Sequence, residues 1–151
     1  MANSQLDALD MRILTMLSSD ARKPYLEIAR ECNVSGAAIH QRIQKLYANG
    51  TIKGTVTNID PHAVGYDTCA YIGFQLLDPT KFDTIVTALS QIPEVVECHY
   101  TTGKYDLFIK LFAKNNDDLL NVIHDKILNL GARTETLISF KEVFNRQVPI
   151  D

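Results

Sequence analysis

Along the first sixty residues the apolar positions recur at helical spacing. Leu6, Leu9, Ile13 and Leu17 share one stripe, widened by Leu14, which predicts an amphipathic helix over about 6–19. Asp20-Ala21-Arg22-Lys23 breaks the pattern, and Pro24 stands where a first helical turn tolerates it. Tyr25, Ile28, Ala29 and Cys32 form the apolar face of a short second helix. Asn33-Val34-Ser35 reads as a tight turn, with Ser35 as the N-cap of a third helix. That helix has Ile39, Ile43 and Leu46 as core positions and ends at Asn49-Gly50, a pair suited to a left-handed cap. Residues 51–59, rich in Thr, Val and Ile, read as a strand or wing, and 60–65 as a linker punctuated by Pro61 and Gly65.

Beyond the linker the period changes. A strand over 66–77 is followed by a helix opened by Asp78-Pro79, with Phe82, Ile85, Val86 and Leu89 on one face and Pro93 beyond its end. Strands are predicted over 95–100, 105–113 and 134–143. A second helix, capped at 115–118, carries Leu119, Leu120, Ile123, Ile127 and Leu130 and closes at Gly131. The order βαββαβ is the split βαβ, or ferredoxin-like, arrangement with both helices on one face of the sheet. The other face is expected to be polar, yet Cys69, Tyr71, Phe108 and Phe112 alternate with the inward residues. Strands apolar on both faces need a second cover, and a second copy of the chain is the economical one. The fold class is therefore α+β, with two domains at 1–60 and 66–151.

Composition narrows the function classes. With 151 residues, 46% hydrophobic and 22% charged, the chain is an ordinary globular protein. No apolar run is long enough to span a bilayer. Met1-Ala2-Asn3-Ser4-Gln5 lacks the basic start and apolar run of a signal peptide. Cys32, Cys69 and Cys98 are scattered and read as buried thiols in a reducing cytoplasm. No phosphate-cradling glycine loop, nucleophile elbow or HExxH stretch is present, and the four histidines pair with no cysteine at ligand spacing. No enzyme activity, metal or cofactor is expected.

The net charge of −3 argues at face value against nucleic acid, but it is unevenly spread. Residues 1–60 carry +1 and residues 61–151 carry −4, and no acid occurs in the twenty-eight residues between Glu31 and Asp60. That gap is either a polyanion-binding face or chance. Within it, the side of the third helix opposite its core stripe carries Ala37, Gln41 and Gln44, flanked by Ala38, His40 and Lys45, with Arg42 at the border and Lys53 beyond. Small residues allow close approach to a groove, Gln can read an adenine edge, and Arg or Lys can reach guanine or phosphate. The same face would also serve as the solvent side of a plain three-helix bundle.

Over nearly its whole length, about 6–148, the chain resembles the Lrp/AsnC family of bacterial and archaeal transcription regulators, its AsnC-type members most closely. The resemblance rests on Leu9-Asp10, Ile13-Leu14, Ala21-Arg22, Glu27-Ile28-Ala29, Val34-Ser35, Ile39, Arg42-Ile43 and Leu46. It continues through Gly50-Thr51-Ile52, Gly54, Asp60-Pro61, Gly65, Tyr100-Thr101-Thr102-Gly103-Lys104-Tyr105-Asp106-Leu107-Phe108 and Thr134-Glu135-Thr136. It implies a winged helix-turn-helix followed by a ferredoxin-like effector (RAM) domain, in homodimers that build higher even oligomers, octamers above all. Ser35 and the exposed side of the third helix align with the family's DNA-contacting segment. Ala38 stands where many members have Thr or Ser, so one phosphate-contacting hydroxyl is missing and the operator does not carry over. Thr51 replaces a common Val.

The resemblance also implies an amino-acid effector site at Tyr100, Thr101, Thr102, Gly103, Lys104, Tyr105 and Asp106, completed by Thr134 and Thr136 of a neighbouring subunit. The residue types suit a zwitterion, since a glycine-containing turn offers N–H groups to a carboxylate and Asp106 offers an acceptor to an ammonium. Residues 101–104 equally fit a plain hairpin turn. The expectation is a cytoplasmic, sequence-specific regulator of double-stranded DNA modulated by a small amino acid. A nucleoid-type DNA-wrapping protein and an amino-acid sensor acting through a protein partner are the alternatives.

Overall fold

The computed structural model describes residues 6–150; the five residues read above for a signal peptide lie outside the described residues. The chain divides into two compact units. One runs to Thr57 and includes the segment from Asn145, and the other is Asn58–Phe144. The sequence pattern instead divides at 60–65 and keeps that last segment with the second part.

The first unit is three helices, α1 (Ala8–Ser19), α2 (Tyr25–Cys32) and α3 (Gly36–Ala48). Helix α1 starts at Ala8 rather than Leu6 because Asp7 and Asp10 form a capping box. The Asp7 carboxylate accepts the Asp10 N–H at 2.9 Å and the Asp10 carboxylate accepts the Asp7 N–H at 3.2 Å. Pro24 is the N-cap of α2, one residue outside the first turn where the sequence pattern put it. Asn33 ends α2 in the left-handed region at φ 57°, which its short polar side chain tolerates. The Ser35 hydroxyl then caps α3 by accepting the Ala38 N–H at 3.1 Å.

Ile13, Ile28, Ala29, Cys32, Ile39, Ile43 and Leu46 are buried together, so each helix contributes the stripe its spacing predicted. Tyr25 is an exception. It is 39% exposed and its ring lies 6.0 Å from that of His40, outside the core face assigned to it. Residues 51–59, read as a strand or wing, join no sheet among the described residues, and Val56 is 90% exposed. A strand needs a partner for its N–H and C=O groups, and a unit of three helices offers none.

The second unit is a four-stranded antiparallel sheet of β1 (Thr68–Leu76), β2 (Val95–Tyr100), β3 (Leu107–Ala113) and β4 (Ala132–Ser139), in the order β2-β3-β1-β4. Helices α4 (Phe82–Ser90) and α5 (Asn116–Val122) cover one face. Ala70, Ile72, Phe74, Leu107, Ile109 and Leu111 pack there against Ile85, Leu89, Leu119, Val122 and Ile127. The ferredoxin-like order is as expected, but the element ends move. Strand β4 stops at Ser139, opposite Cys69, because β1 begins at Thr68 and leaves Lys141, Glu142 and Val143 no ladder partner. Helix α5 is regular only to Val122, with Leu119 and Val122 buried and Leu120 on its outer side 64% exposed; a wide turn at Ile123–Ile127 then brings Ile127 into the core. Cys98 is exposed because β2 is an edge strand, and Cys69 is half-buried, so only Cys32 matches the expected buried thiol.

The uncovered face presents Tyr71, Phe108, Lys110, Phe112 and Leu137, as the alternation of apolar residues implied. Tyr71 and Phe108 stack with centroids 5.9 Å apart. Gly73 sits in this face because the Tyr105 ring lies flat upon it, and a Cβ there would come within 2.5 Å of that ring. Gly73→Ala is expected to destabilise the protein by about 1–3 kcal/mol in urea unfolding. Adding Tyr105→Ala should recover much of that loss, whereas additive losses would mean that the ring is not the obstacle.

The linker closes as a short turn, His62–Val64, ended by Gly65 at φ 87°. The His62 Nδ1 is 2.9 Å from Asp67 Oδ1, and this hydrogen bond raises the imidazole pKa above its ordinary value. The pair therefore stabilises the fold below about pH 6.5 and the contribution is lost as pH rises through the raised value. An NMR titration should show His62 above its ordinary value, and Asp67→Asn should lower it.

Candidate nucleic-acid interface and ligand-binding turn

Helix α3 presents Ala37, His40, Gln41, Gln44 and Lys45 to solvent, on the side away from Ile39, Ile43 and Leu46. Ala38 is half-buried beside Ser35, whose hydroxyl oxygen accepts the cap hydrogen bond and keeps its O–H as a donor. His40 Nε2 and Gln44 Nε2 are 3.0 Å apart, so these two side chains form a unit together with Tyr25 of α2. Tyr25 was legible only as an apolar residue at helical spacing; nothing in the pattern marks it as a surface neighbour of His40. Lys45 and Lys53 are exposed and form no ion pair among the described residues. Arg42 is different. Its Nη1 donates to Asp7 Oδ2 and, at 3.1 Å, to Asp10 Oδ1. Arg42, expected at a phosphate or guanine, has its Nη1 engaged by the carboxylates of Asp7 and Asp10 at the start of α1.

In the second unit residues 101–106 form the loop between β2 and β3, with Tyr100 at the end of β2. Tyr100 is exposed and meets the Phe82 ring edge-on at 4.8 Å. The Thr101 hydroxyl donates to the Tyr105 carbonyl at 2.7 Å and the Thr101 N–H to the Asp106 carbonyl at 2.9 Å, closing the turn. Gly103 takes φ 97°, a backbone conformation closed to most side chains. The N–H groups of Thr102, Gly103 and Lys104 donate to no acceptor among the described residues. Asp106 anchors the loop to β1, with its N–H on the Phe74 carbonyl and its Oδ2 accepting the Leu76 N–H, both at 2.8 Å. One carboxylate oxygen of the expected ammonium acceptor is thus in structural use.

Lys104 and Tyr105 converge on Glu135 of β4, the Tyr105 hydroxyl donating to its Oε2 at 2.5 Å. The Lys104 ammonium, then the Tyr105 hydroxyl, hold the Glu135 carboxyl below the usual carboxylate range, and Glu135 raises the Lys104 pKa. Glu135 was quoted in the family pattern but not placed in the site; only the strand register brings it to Tyr105. Thr134 and Thr136 flank it in sequence but pair with Phe74 and Ile72, which puts them on the helix-covered side. One chain therefore does not bring these two threonines to the turn. A separate cleft of about 290 Å³ on the uncovered face, lined by Asp67, Tyr71, Lys110, Phe112 and Glu142 among others, includes none of the sequence-predicted residues.

A helix-turn-helix with an exposed, acid-free recognition face, joined in one chain to a ferredoxin-like domain, defines the class of DNA-binding regulators that carry their own ligand-binding domain. The AsnC-type helix-turn-helix model matches residues 6–47 and the Lrp/AsnC ligand binding domain model matches 69–149. The regulatory protein AsnC of Haemophilus influenzae is 39% identical over 145 residues, 95% of this chain and 97% of that protein. The structure of Escherichia coli AsnC superposes with a TM-score of 0.89 at 34% identity, covering 95% of this chain and 97% of that one. The Neisseria meningitidis transcriptional regulator NMB0573, in a complex with L-Met, has the same fold with a TM-score of 0.90 at 19% identity, covering 97% of each chain.

The chain belongs to the Lrp/AsnC family of transcriptional regulators. That family consists of regulators, not enzymes. Among the described residues no cluster of His, Cys, Asp or Glu could hold a metal ion, and no helix is long and apolar enough to cross a membrane.

Because the Leu76 N–H depends on Asp106, Asp106→Ala is expected to cost about 1–3 kcal/mol in urea unfolding whether or not a ligand is present. A variant as stable as the parent would show that this carboxylate is free for ligand.

Proposed function

We propose that the protein is a sequence-specific, amino-acid-responsive regulator of transcription that acts on double-stranded DNA in the cytoplasm as a homo-oligomer. The observation that carries the DNA reading is the exposed side of α3. It pairs groove-sized and base-reading residues (Ala37, Gln41) with the unpaired cation Lys45, followed by Lys53, in a stretch without acids. Arg42 is left out of the phosphate contacts, for the reason given above.

The effector reading rests on the loop between β2 and β3. Three successive N–H groups without acceptors, around a glycine at positive φ, suit a carboxylate. Thr134 and Thr136 would reach it from a neighbouring subunit, because in one chain they lie on the other side of the sheet. The likeness of the fold to the L-Met-bound Neisseria regulator fits an amino acid as ligand. Two copies joining through the uncovered face would bury Tyr71, Phe108, Phe112 and Leu137, and such dimers would assemble into a higher even oligomer, an octamer in the simplest case.

Fluorescence anisotropy on duplex DNA at several salt concentrations tests the first part. Affinity should fall steeply with salt, and Lys45→Gln or Lys53→Gln should make the log–log slope shallower by about one per contact. Unchanged slopes in both variants would remove these lysines from the interface. Thermal-shift screening against the twenty amino acids should find at least one that raises the melting midpoint. The same amino acid should change DNA affinity by about five- to 150-fold. No response to any of the twenty would end the effector reading, and a monomer by light scattering would end the oligomer.

A further inference from the structure

We propose that Arg42 is a positioning residue: tied to the Asp7–Asp10 capping box of α1, its guanidinium sets the rotation of α3 and thereby the fit of α3 to base edges. This rests on the reading of α3 as the DNA-contacting helix. The geometry is a closed network in which every carboxylate oxygen has a use. Asp7 Oδ1 and Asp10 Oδ2 accept the two N–H groups of the capping box, and Asp7 Oδ2 and Asp10 Oδ1 accept Arg42 Nη1. Asp10 is 2% exposed and Arg42 is half-buried. If Arg42 swung out to a phosphate, it would leave a buried carboxylate without its cation, a far larger loss than one surface contact returns. Two acids around one guanidinium also leave the cluster net negative, which suits no phosphate.

What the network supplies is direction. Ile39, Ile43 and Leu46 hold α3 against the other helices, but apolar burial is non-directional and permits rotation about the helix axis. Arg42 projects between that stripe and the exposed face, so two hydrogen bonds to fixed oxygens on α1 oppose such rotation. Base readout is sensitive to it, since a recognising side chain must be placed within about 0.5 Å and 10–20°. Gln41 lies one residue before Arg42 and Lys45 three residues after it, so both share its rotation.

Two variants separate positioning from phosphate contact. Asp7→Ser keeps an N-cap hydroxyl but removes the second oxygen that holds Arg42, and it also removes a negative charge. Arg42→Gln removes the guanidinium. The probes are a 30-base-pair duplex selected by the parent protein from a random-sequence library and an unrelated duplex of equal length, about three helical turns each. Binding is measured across a salt series well below the melting midpoint. The expected result is that both variants lose about tenfold on the selected duplex, the order of one misread base pair. Affinity for the unrelated duplex and the salt slope should stay at the parent's values, and the double variant should be no worse than either single one. Partial unfolding does not produce this pattern, because it lowers both affinities alike. A shallower salt slope for Arg42→Gln, with an equal loss on both duplexes, would assign Arg42 to phosphate and overturn the proposal. A parent protein that binds neither duplex at low salt would remove the reading of α3 itself, an outcome distinct from any difference among variants.

Discussion

Burial of Ile72, Phe74, Ile109 and Leu111 beneath two helices decides which side of the sheet every other strand residue occupies. With a side-chain period of two, this one constraint sends Tyr71, Phe108, Lys110 and Phe112 to the uncovered face. It sends Glu135 to the same face and Thr134 and Thr136 to the other. The chemistry of the β2–β3 loop follows from the same constraint. The loop is anchored to β1 through Asp106 and laid over Gly73 through Tyr105, so its unpaired N–H groups are presented from a rigid base. Strand β1, central in the sheet and paired on both sides, is thus the frame for both expected halves of the effector site.

The helical unit solves a parallel problem with a different division of labour. Its apolar stripes give depth and cohesion, while directed polar contacts set orientation. Arg12 donates to the Glu31 carbonyl at 2.6 Å, tying α1 to the end of α2, and Arg42 ties α3 to the start of α1. The cations of this unit therefore fall into two groups. Those spent on acids or carbonyls hold the helices in place, and Arg22, Arg30, Lys45 and Lys53 remain at the surface. A count of basic residues cannot distinguish the groups, which is why an acid-free stretch looked more basic than the surface it presents.

Periodicity was enough for the helices of the first unit, the order βαββαβ and the apolar character of both sheet faces, because side-chain burial follows spacing directly. The Ser35 cap and the glycine-bearing loop were also readable, since each follows from one residue's local conformational preference. Element ends were not. Strand β4 ends where β1 stops offering partners, and the wide turn after Val122 answers to the fit of Ile127 in the core. Neither is encoded in the residues at the boundary. Residues 51–59 have strand composition but join no sheet among the described residues, so propensity alone did not place them.

For the candidate sites the division is sharper. The sequence by itself determined the architecture and the family and singled out the candidate residues of both sites, because these rest on local preference and on the alternation of apolar and polar residues. Only the tertiary structure decided what individual polar groups do. It assigned Arg42 to Asp7 and Asp10, brought Tyr25 beside His40, joined Glu135 to Tyr105 across the sheet and turned Thr134 and Thr136 away from the loop. Hydrogen bonds and ion pairs form between residues about thirty positions apart, and whether their atoms meet depends on packing that no local pattern contains.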